Sequence, residues 1–252
     1  MRITFLGTGT SMGVPVAGGF GSEEMTGDPR DNRYRCSAWI QTKEASVLID
    51  IGPEFRLQTL RAGIRHIDLL LLTHEHTDHI GGLDDLRPFN YIQGGKIPVF
   101  TTQSCVDSLK RRFEYMFEPN RTPGSVNLDI QVHSRNIIFR DCKITPLPVY
   151  HGDLLIHGFR INDLSYITDT NYIPEETLEL VKGSKLLVLN GLRWSPEHPT
   201  HFTIPQAVEV AQKLKIPMTY LIHMSSHVNH ALTNKKLPDN IRLAYDQLTI
   251  DL

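Results

Sequence analysis

Three histidines and an aspartate crowd into six residues at His74-Glu75-His76-Thr77-Asp78-His79. Imidazole and carboxylate are the donors that suit Zn²⁺, Mn²⁺ or Fe. Burying four such groups together is costly unless something compensates them, and a metal ion compensates both kinds at once. Thr73 alone separates the cluster from the apolar run Ile67-Asp68-Leu69-Leu70-Leu71-Leu72. A strand that delivers ligands into the loop at its end would hold them rigidly, as half of a metal site.

Three later residues share this context of a polar ligand just after an apolar run. His151 follows Ile144-Thr145-Pro146-Leu147-Pro148-Val149-Tyr150, Asp169 follows Ser165-Tyr166-Ile167-Thr168, and His223 follows Thr219-Tyr220-Leu221-Ile222. Taken singly, each would read as a hydrogen-bonded histidine or a turn aspartate. Taken with the six-residue cluster, they form a set that could complete a metal centre.

The elements that must position these groups read as follows. Ile3 to Leu6 is an opening strand, and Gly7-Thr8-Gly9-Thr10-Ser11-Met12-Gly13 a turn at its end. Met12 stands where a dinucleotide fingerprint needs its third glycine, so no such site is implied, though backbone amides there could still touch a substrate. Residues 17–35 are rich in Gly, Asp, Arg and Asn and read as a surface loop over the sheet edge. Ser37 to Thr42 and Ser46 to Asp50 form a hairpin. Pro53 opens a helix carrying Phe55, Leu57 and Leu60 that ends at Gly63. Leu83 to Leu86 suggests a helix leading away from the cluster. Pro98 to Thr101 is a short strand, and Ser104 caps a helix to about Phe117. Short strands then run from Leu128 to Thr168. Pro174 opens a helix to about Lys182, Lys185 to Asn190 is a buried strand, Thr203 caps a helix from Ile204 to Leu214, and Met218 to Ile222 is a strand. Ile241 to Tyr245 and Leu248 to Ile250 close the chain as a hairpin. So many strands at hairpin distance point to an α/β (α+β) domain spanning 1–252, with two sheets covered by helices, rather than a parallel doubly wound sheet.

The 252 residues are 40% hydrophobic and 21% charged, an ordinary globular balance, and the net charge of −2 offers no general attraction for nucleic acid. Cys36, Cys105 and Cys142 are odd in number and far apart, so no disulfide framework or CxxC pair is implied. With no signal peptide and no run of roughly 18 apolar residues, the expectation is a cytoplasmic, reduced protein that engages no membrane.

The string from His74 to His79, followed by His151, Asp169 and His223, resembles the metallo-β-lactamase superfamily, whose signature is HxHxDH and then a His, an Asp and a His at strand ends. Gly7-Thr8-Gly9, Ala38 to Gly52, Thr145 to Pro148, Thr168-Asp169-Thr170 and His223 to Pro238 bring it nearest to the branch of PhnP-type cyclic-phosphate phosphodiesterases. The resemblance implies a four-layer αββα sandwich and two divalent ions, Zn²⁺ or Mn²⁺ before Fe. By position, His74, His76 and His151 would hold one ion, Asp78, His79 and His223 the other, and Asp169 would bridge them. Asp78 counts as catalytic as well as ligating, because the second ion needs it; Glu75 and Thr77 are spacers. Asp50, ending Val47-Leu48-Ile49, is a candidate for orienting a ligand imidazole. His201, in Pro199-Thr200-His201-Phe202-Thr203, matches the family's general acid, with His198 as the alternative. His66, His133 and His157 stand outside the pattern; His227 and His230 could line the pocket. The branch's N-terminal cysteine cluster for a separate structural zinc has no counterpart, since Gly18 to Glu24 contains no cysteine.

The function so implied is hydrolysis of a small cyclic phosphate ester, phosphoribosyl 1,2-cyclic phosphate or a 2′,3′-cyclic nucleotide, by attack of a metal-bridging hydroxide. The partner would be a small phosphodiester, and a homodimer is allowed for. The alternatives are a tRNA 3′-processing endonuclease of the same superfamily, a thioester or lactam hydrolase, and a metal-stabilised scaffold without turnover.

Overall fold

Segments such as Val47-Leu48-Ile49 and Leu69-Leu70-Leu71 carry no polar side chain, so a strand made from them must be covered on both faces. The computed structural model, which describes residues 1–21, 27–118 and 124–252, covers both. The alternation is visible residue by residue: Val47, Ile49, Leu69 and Leu71 face a core between two sheets, while Leu48 and Leu70 face helices on the outside.

The first sheet contains β1 (Arg2–Gly7), β2 (Ser37–Gln41), β3 (Ser46–Ile49), β4 (Leu69–Leu71), β5 (Ile97–Thr101) and β6 (Leu128–Val132). The second contains β7 (Ile137–Phe139), β8 (Cys142–His151), β9 (Leu154–Ile161), β10 (Leu164–Ile167), β11 (Leu186–Asn190), β12 (Met218–Ile222) and β13 (Ile241–Leu243). A last strand, β14 (Thr249–Asp251), returns to the first sheet, giving the orders β14-β1-β2-β3-β4-β5-β6 and β13-β12-β11-β10-β9-β8-β7. Each sheet is antiparallel in one part and parallel in the other, with β3 to β6 and β10 to β13 parallel. α1 (Phe55–Ala62), α2 (Thr77–Ile80), α3 (Arg87–Gln93) and α4 (Gln103–Arg112) follow strands of the first sheet; α5 (Glu175–Val181), α6 (Ile204–Leu214) and α7 (His230–Asn234) follow strands of the second. Phe55, Phe89 and Leu109 cover the outer face of the first sheet, and Leu178, Ala207, Ala211 and Leu214 that of the second, completing αββα.

Local chemistry explains most boundaries. Thr203 caps α6 through a reciprocal capping box with Gln206, and Gly63 ends α1 in the left-handed conformation at φ 67°. Three expectations need correction. The cap of α4 is Thr102, which accepts from the Cys105 amide, and the helix stops at Arg112, followed by a 3₁₀ turn at Glu114–Met116. Leu57 and Leu60 point outward on α1, whose buried face is Phe55, Gln58 and Thr59. The tail is no hairpin: β13 pairs with β12 and β14 with β1, in different sheets. The crossing residues staple the sheets together, with the Ala244 amide donating to the Leu221 carbonyl and the Gln247 amide to that of Phe5. Alternating patterns fix which face a strand buries but not which neighbour it takes.

The 17–35 segment is also more interior than its composition suggests. Arg33 is fully buried, its Nη2 donating to Asp31 Oδ1 at 2.8 Å and to the Val228 carbonyl at 2.8 Å, while Asp31 Oδ1 also accepts from the His230 amide. This ion pair ties the loop to the segment after His223. Residues 22–24 of the cysteine-free stretch from Gly18 lie outside the described residues. No helix among those described is long and apolar enough to cross a membrane.

Candidate metal centre

Every strand that the sequence marks as carrying a ligand ends at the same rim of the sandwich. β4 leads through Thr73 to His74, α2 holds Asp78 and His79, β8 ends in His151, and β10 and β12 lead to Asp169 and His223. Asp50, Asp169 and His223 adopt positive φ of 57°, 54° and 59°. That conformation costs a non-glycine residue about 1–2 kcal/mol, and three instances at one rim fit a site whose geometry is held against local preference. Gly52 explains how the rim closes: a Cβ there would lie 2.4 Å from the Asp78 carbonyl oxygen.

The side chains gather into two groups, His74, His76 and His151 on one side, and Asp78, His79, Asp169 and His223 on the other, each with donor atoms within 4.8 Å of one another. Asp169 Oδ2 stands between them, 3.8 Å from His74 Nε2, 3.3 Å from His79 Nε2 and 3.1 Å from His223 Nε2. The outer nitrogens of His74, His79 and His151 are held by neighbours. His79 Nδ1 donates to Asp50 Oδ2 at 2.7 Å, His151 Nδ1 donates to the Thr200 carbonyl at 2.9 Å, and His74 Nδ1 lies 2.9 Å from the Thr73 hydroxyl. Asp50 accepts in addition from the amide and hydroxyl of Thr73. These contacts select the tautomer that turns a bare Nε2 inward. The Nε2 atoms of His74, His79 and His223 are buried with no hydrogen-bond partner. Buried, unpartnered donors of the right chemistry converging with two carboxylates fit a dinuclear divalent centre.

Charge sharing within the group supports the same fit. Burial pushes Asp169 up, but His223 and His79 more than reverse this and hold it well below the usual carboxylate range. Asp78 behaves likewise, drawn down chiefly by His79. Burial lowers His79 and His223, yet the surrounding carboxylates raise His79 well above its ordinary value and push His223 up to about 9. Without metal, both rings therefore hold protons near neutrality, and a bound ion must displace them. Metal uptake at pH 7 is expected to release protons, and affinity to climb as the pH rises toward about 9, where His223 deprotonates unaided. Calorimetry in buffers of different ionisation heat checks this; an affinity that stays flat across that range contradicts it.

His201 joins from the loop before α6. Its ring stacks on His223 at 4.7 Å between centroids, and its buried, unpartnered Nε2 lies 3.5 Å from Asp169 Oδ2. Its Nδ1 faces Thr200 Oγ1 at 2.9 Å and His198 Nδ1 at 3.0 Å, so His198 stands behind His201 rather than at the centre. Burial pulls His201 down to about 4, which leaves its imidazole neutral at pH 7.

The remaining histidines belong elsewhere. His66 pairs with Asp68, His133 packs on Phe100, and the His157 amide donates to Thr73. His227 packs edge-on against Phe20 and His230 against Tyr245, and neither joins a ligating group among the described residues. Sequence reasoning missed Thr73 and Thr200, which orient three imidazoles; Thr73 is an unremarkable residue between a strand and the cluster, and Thr200 holds His151 through its carbonyl and His201 through its hydroxyl.

Residues 45–224 match the model of the beta-lactamase superfamily domain. The chain therefore belongs to the metallo-β-lactamase superfamily. Within it, the chain sits in the PhnP-like branch: a crystal structure described as a new diphosphatase from the PhnP family superposes with a TM-score of 0.91 at 38% identity, over 100% of this chain and 97% of that one. An octanoyltransferase of Porphyromonas gingivalis (strain ATCC BAA-308 / W83) is 39% identical over 252 residues, covering 98% of this chain and 51% of that protein. A ribonuclease Z of Anoxybacillus flavithermus (strain DSM 21510 / WK1) is 30% identical over 165 residues, covering 64% of this chain and 48% of that protein. The chain thus spans about half the length of the curated relatives it matches.

Proposed function

We propose that residues 1–252 form one metallohydrolase domain that cleaves a small cyclic phosphate ester, a phosphoribosyl 1,2-cyclic phosphate or a 2′,3′-cyclic nucleotide. The observation that carries this reading is the pair of ligating groups joined at Asp169. His74, His76 and His151 would hold one ion, Asp78, His79 and His223 the other, and Asp169 both. Two divalent ions there would supply Lewis acidity and lower the pKa of a bound water from 15.7 toward about 7. Asp50, Thr73 and the Thr200 carbonyl keep the ligand imidazoles aimed. His201 would stabilise the leaving oxygen by a hydrogen bond from the Nε2–H of a neutral ring, while its Nδ1 accepts from Thr200 Oγ1 or His198, and the leaving oxygen takes its proton from solvent.

His201→Ala is expected to lower kcat by roughly 10²–10⁴-fold with metal content unchanged. Because His201 also lies within ligating reach of His151 and Asp169, loss of one ion per chain in that variant would make it a ligand instead.

The substrate is tested by loading the protein separately with Zn²⁺ and Mn²⁺. The panel is both cyclic phosphates, a linear diester, precursor tRNA and an octanoyl thioester. Fastest turnover on a cyclic phosphate is the expected result. Relatives named ribonuclease Z motivate the RNA arm, and tight, salt-sensitive tRNA binding with cleavage would replace this reading. The relative named octanoyltransferase motivates the thioester arm, although half of that protein lies outside the match.

A further inference from the structure

A cavity of about 470 Å³ opens where the chain crosses from β13 to β14, and no residue of either ligating group lines it. That volume suits a small organic ligand. Tyr220 on β12, Arg242 on β13, Tyr245 and Leu248 in the crossing segment and His230 on α7 form its walls, with Arg30 beside them. His230 therefore lines this cavity and not the metal centre. Three rings give it aromatic faces: those of Tyr220 and Tyr245, and the His230 imidazole, which meets Tyr245 edge-on at 5.6 Å between centroids.

The polar groups on these walls are largely uncommitted. Arg242 Nη1 donates to the Pro238 and Ile241 carbonyls, both at 2.9 Å, which leaves three of its five N–H donors. No carboxylate among the described residues pairs with its charge. The hydroxyls of Tyr220 and Tyr245 make no hydrogen bond among the described residues, nor does either ring nitrogen of His230, although that residue is only 3% exposed. Burial, with Arg30 and Arg33 close by, pulls His230 down to about 4, so at pH 7 its neutral ring offers one donor and one acceptor. Arg30 is matched by Asp28 at 2.7 Å, and the walls are left with the one uncompensated positive charge of Arg242. A buried imidazole without a partner is costly in the free chain, and a ligand that meets it recovers the loss.

We propose that this cavity is a second binding site, separate from the metal centre, for a planar aromatic ligand that carries an anionic group. The ring lies among Tyr220, Tyr245 and His230, and the anion takes the free N–H donors of Arg242 and the Tyr220 hydroxyl. The anion belongs either to an aromatic carboxylate or to a mononucleotide, whose base supplies the ring.

Fluorescence titration of Zn²⁺-loaded protein with 1-anilinonaphthalene-8-sulfonate, whose sulfonate is a poor metal ligand, tests this. One saturable site per chain is expected. Naphthalene-1-methanol has the ring without the charge and methanesulfonate the charge without the ring; each should compete at least about tenfold more weakly than naphthalene-1-sulfonate. Arg242→Met should weaken the dye by about tenfold or more, and Arg242→Lys by less, since a point charge remains. Because Arg242 also holds two carbonyls, Tyr220→Phe supplies a variant that removes only an unbonded hydroxyl. It should bind the dye about threefold more weakly, with an unchanged Tm. Asp169→Asn, which alters the metal centre, should leave dye affinity within about twofold, because the two sites share no residue. Displacement of the dye by AMP identifies a mononucleotide, and displacement by 1-naphthoate alone an aromatic carboxylate. Four results overturn the proposal: no saturable site, equal competition from the uncharged naphthalene, affinity that survives both Arg242→Met and Tyr220→Phe, or affinity lost in Asp169→Asn.

Discussion

Asp169→Asn should reduce turnover by roughly 10³-fold or more and release at least one ion per chain. The substitution keeps the size of the side chain and removes only its charge and one acceptor oxygen. In the native chain, that carboxylate lies within 3.8 Å of the imidazole nitrogens of His74, His79 and His223, and so reaches both ligating sets. An amide there would remove the anionic oxygen that two ions would share, and it would present an N–H where a ligand oxygen is needed. The fold itself should survive, because Asp169 packs against the cluster rather than the apolar layers. Metal content by mass spectrometry, alongside kcat and a thermal melt, checks all three parts. Full metal content with native turnover would remove Asp169 from the centre.

Asp31→Ala is expected to be the costliest single change away from the site, destabilising the chain by about 3–5 kcal/mol. Arg33 has no exposed side-chain surface, and its guanidinium is already opposed by burial, which lowers its pKa while Asp31 raises it. Removing Asp31 would strand a buried cation and also free the His230 amide that Asp31 accepts. Urea unfolding of the variant gives the number. Asp31→Ala and Arg33→Met combined should cost less than Asp31→Ala alone, since the orphaned charge is then gone; an additive double mutant would show that the two residues do not act as a pair.

This ion pair also marks where sequence reasoning stops. A loop of Gly, Asp, Arg and Asn reads as solvated because arginine is rarely buried, and nothing local announces that Asp31 will meet Arg33 in the interior. The cluster from His74 to His79 was legible because its chemistry is contiguous, and His151, Asp169 and His223 because each follows an apolar run that had to become a strand. Asp50 was legible by the same strand-end position. The positive φ of Asp50, Asp169 and His223 was not, since none is glycine. The partners of β13 and β14 were equally hidden: short alternating segments declare a buried face, while sheet membership depends on contacts some 20 to 250 residues away.

The proposed chemistry requires that this rim hold two ions sharing Asp169. Anomalous diffraction from crystals of the Zn²⁺- or Mn²⁺-loaded protein, collected across the metal edge, tests that most directly. Two peaks about 3.5–4 Å apart are predicted, one among His74, His76 and His151, the other among Asp78, His79 and His223, with Asp169 touching both. A single peak at the three histidines, with the Asp78 and His223 side empty at saturating metal, would contradict it.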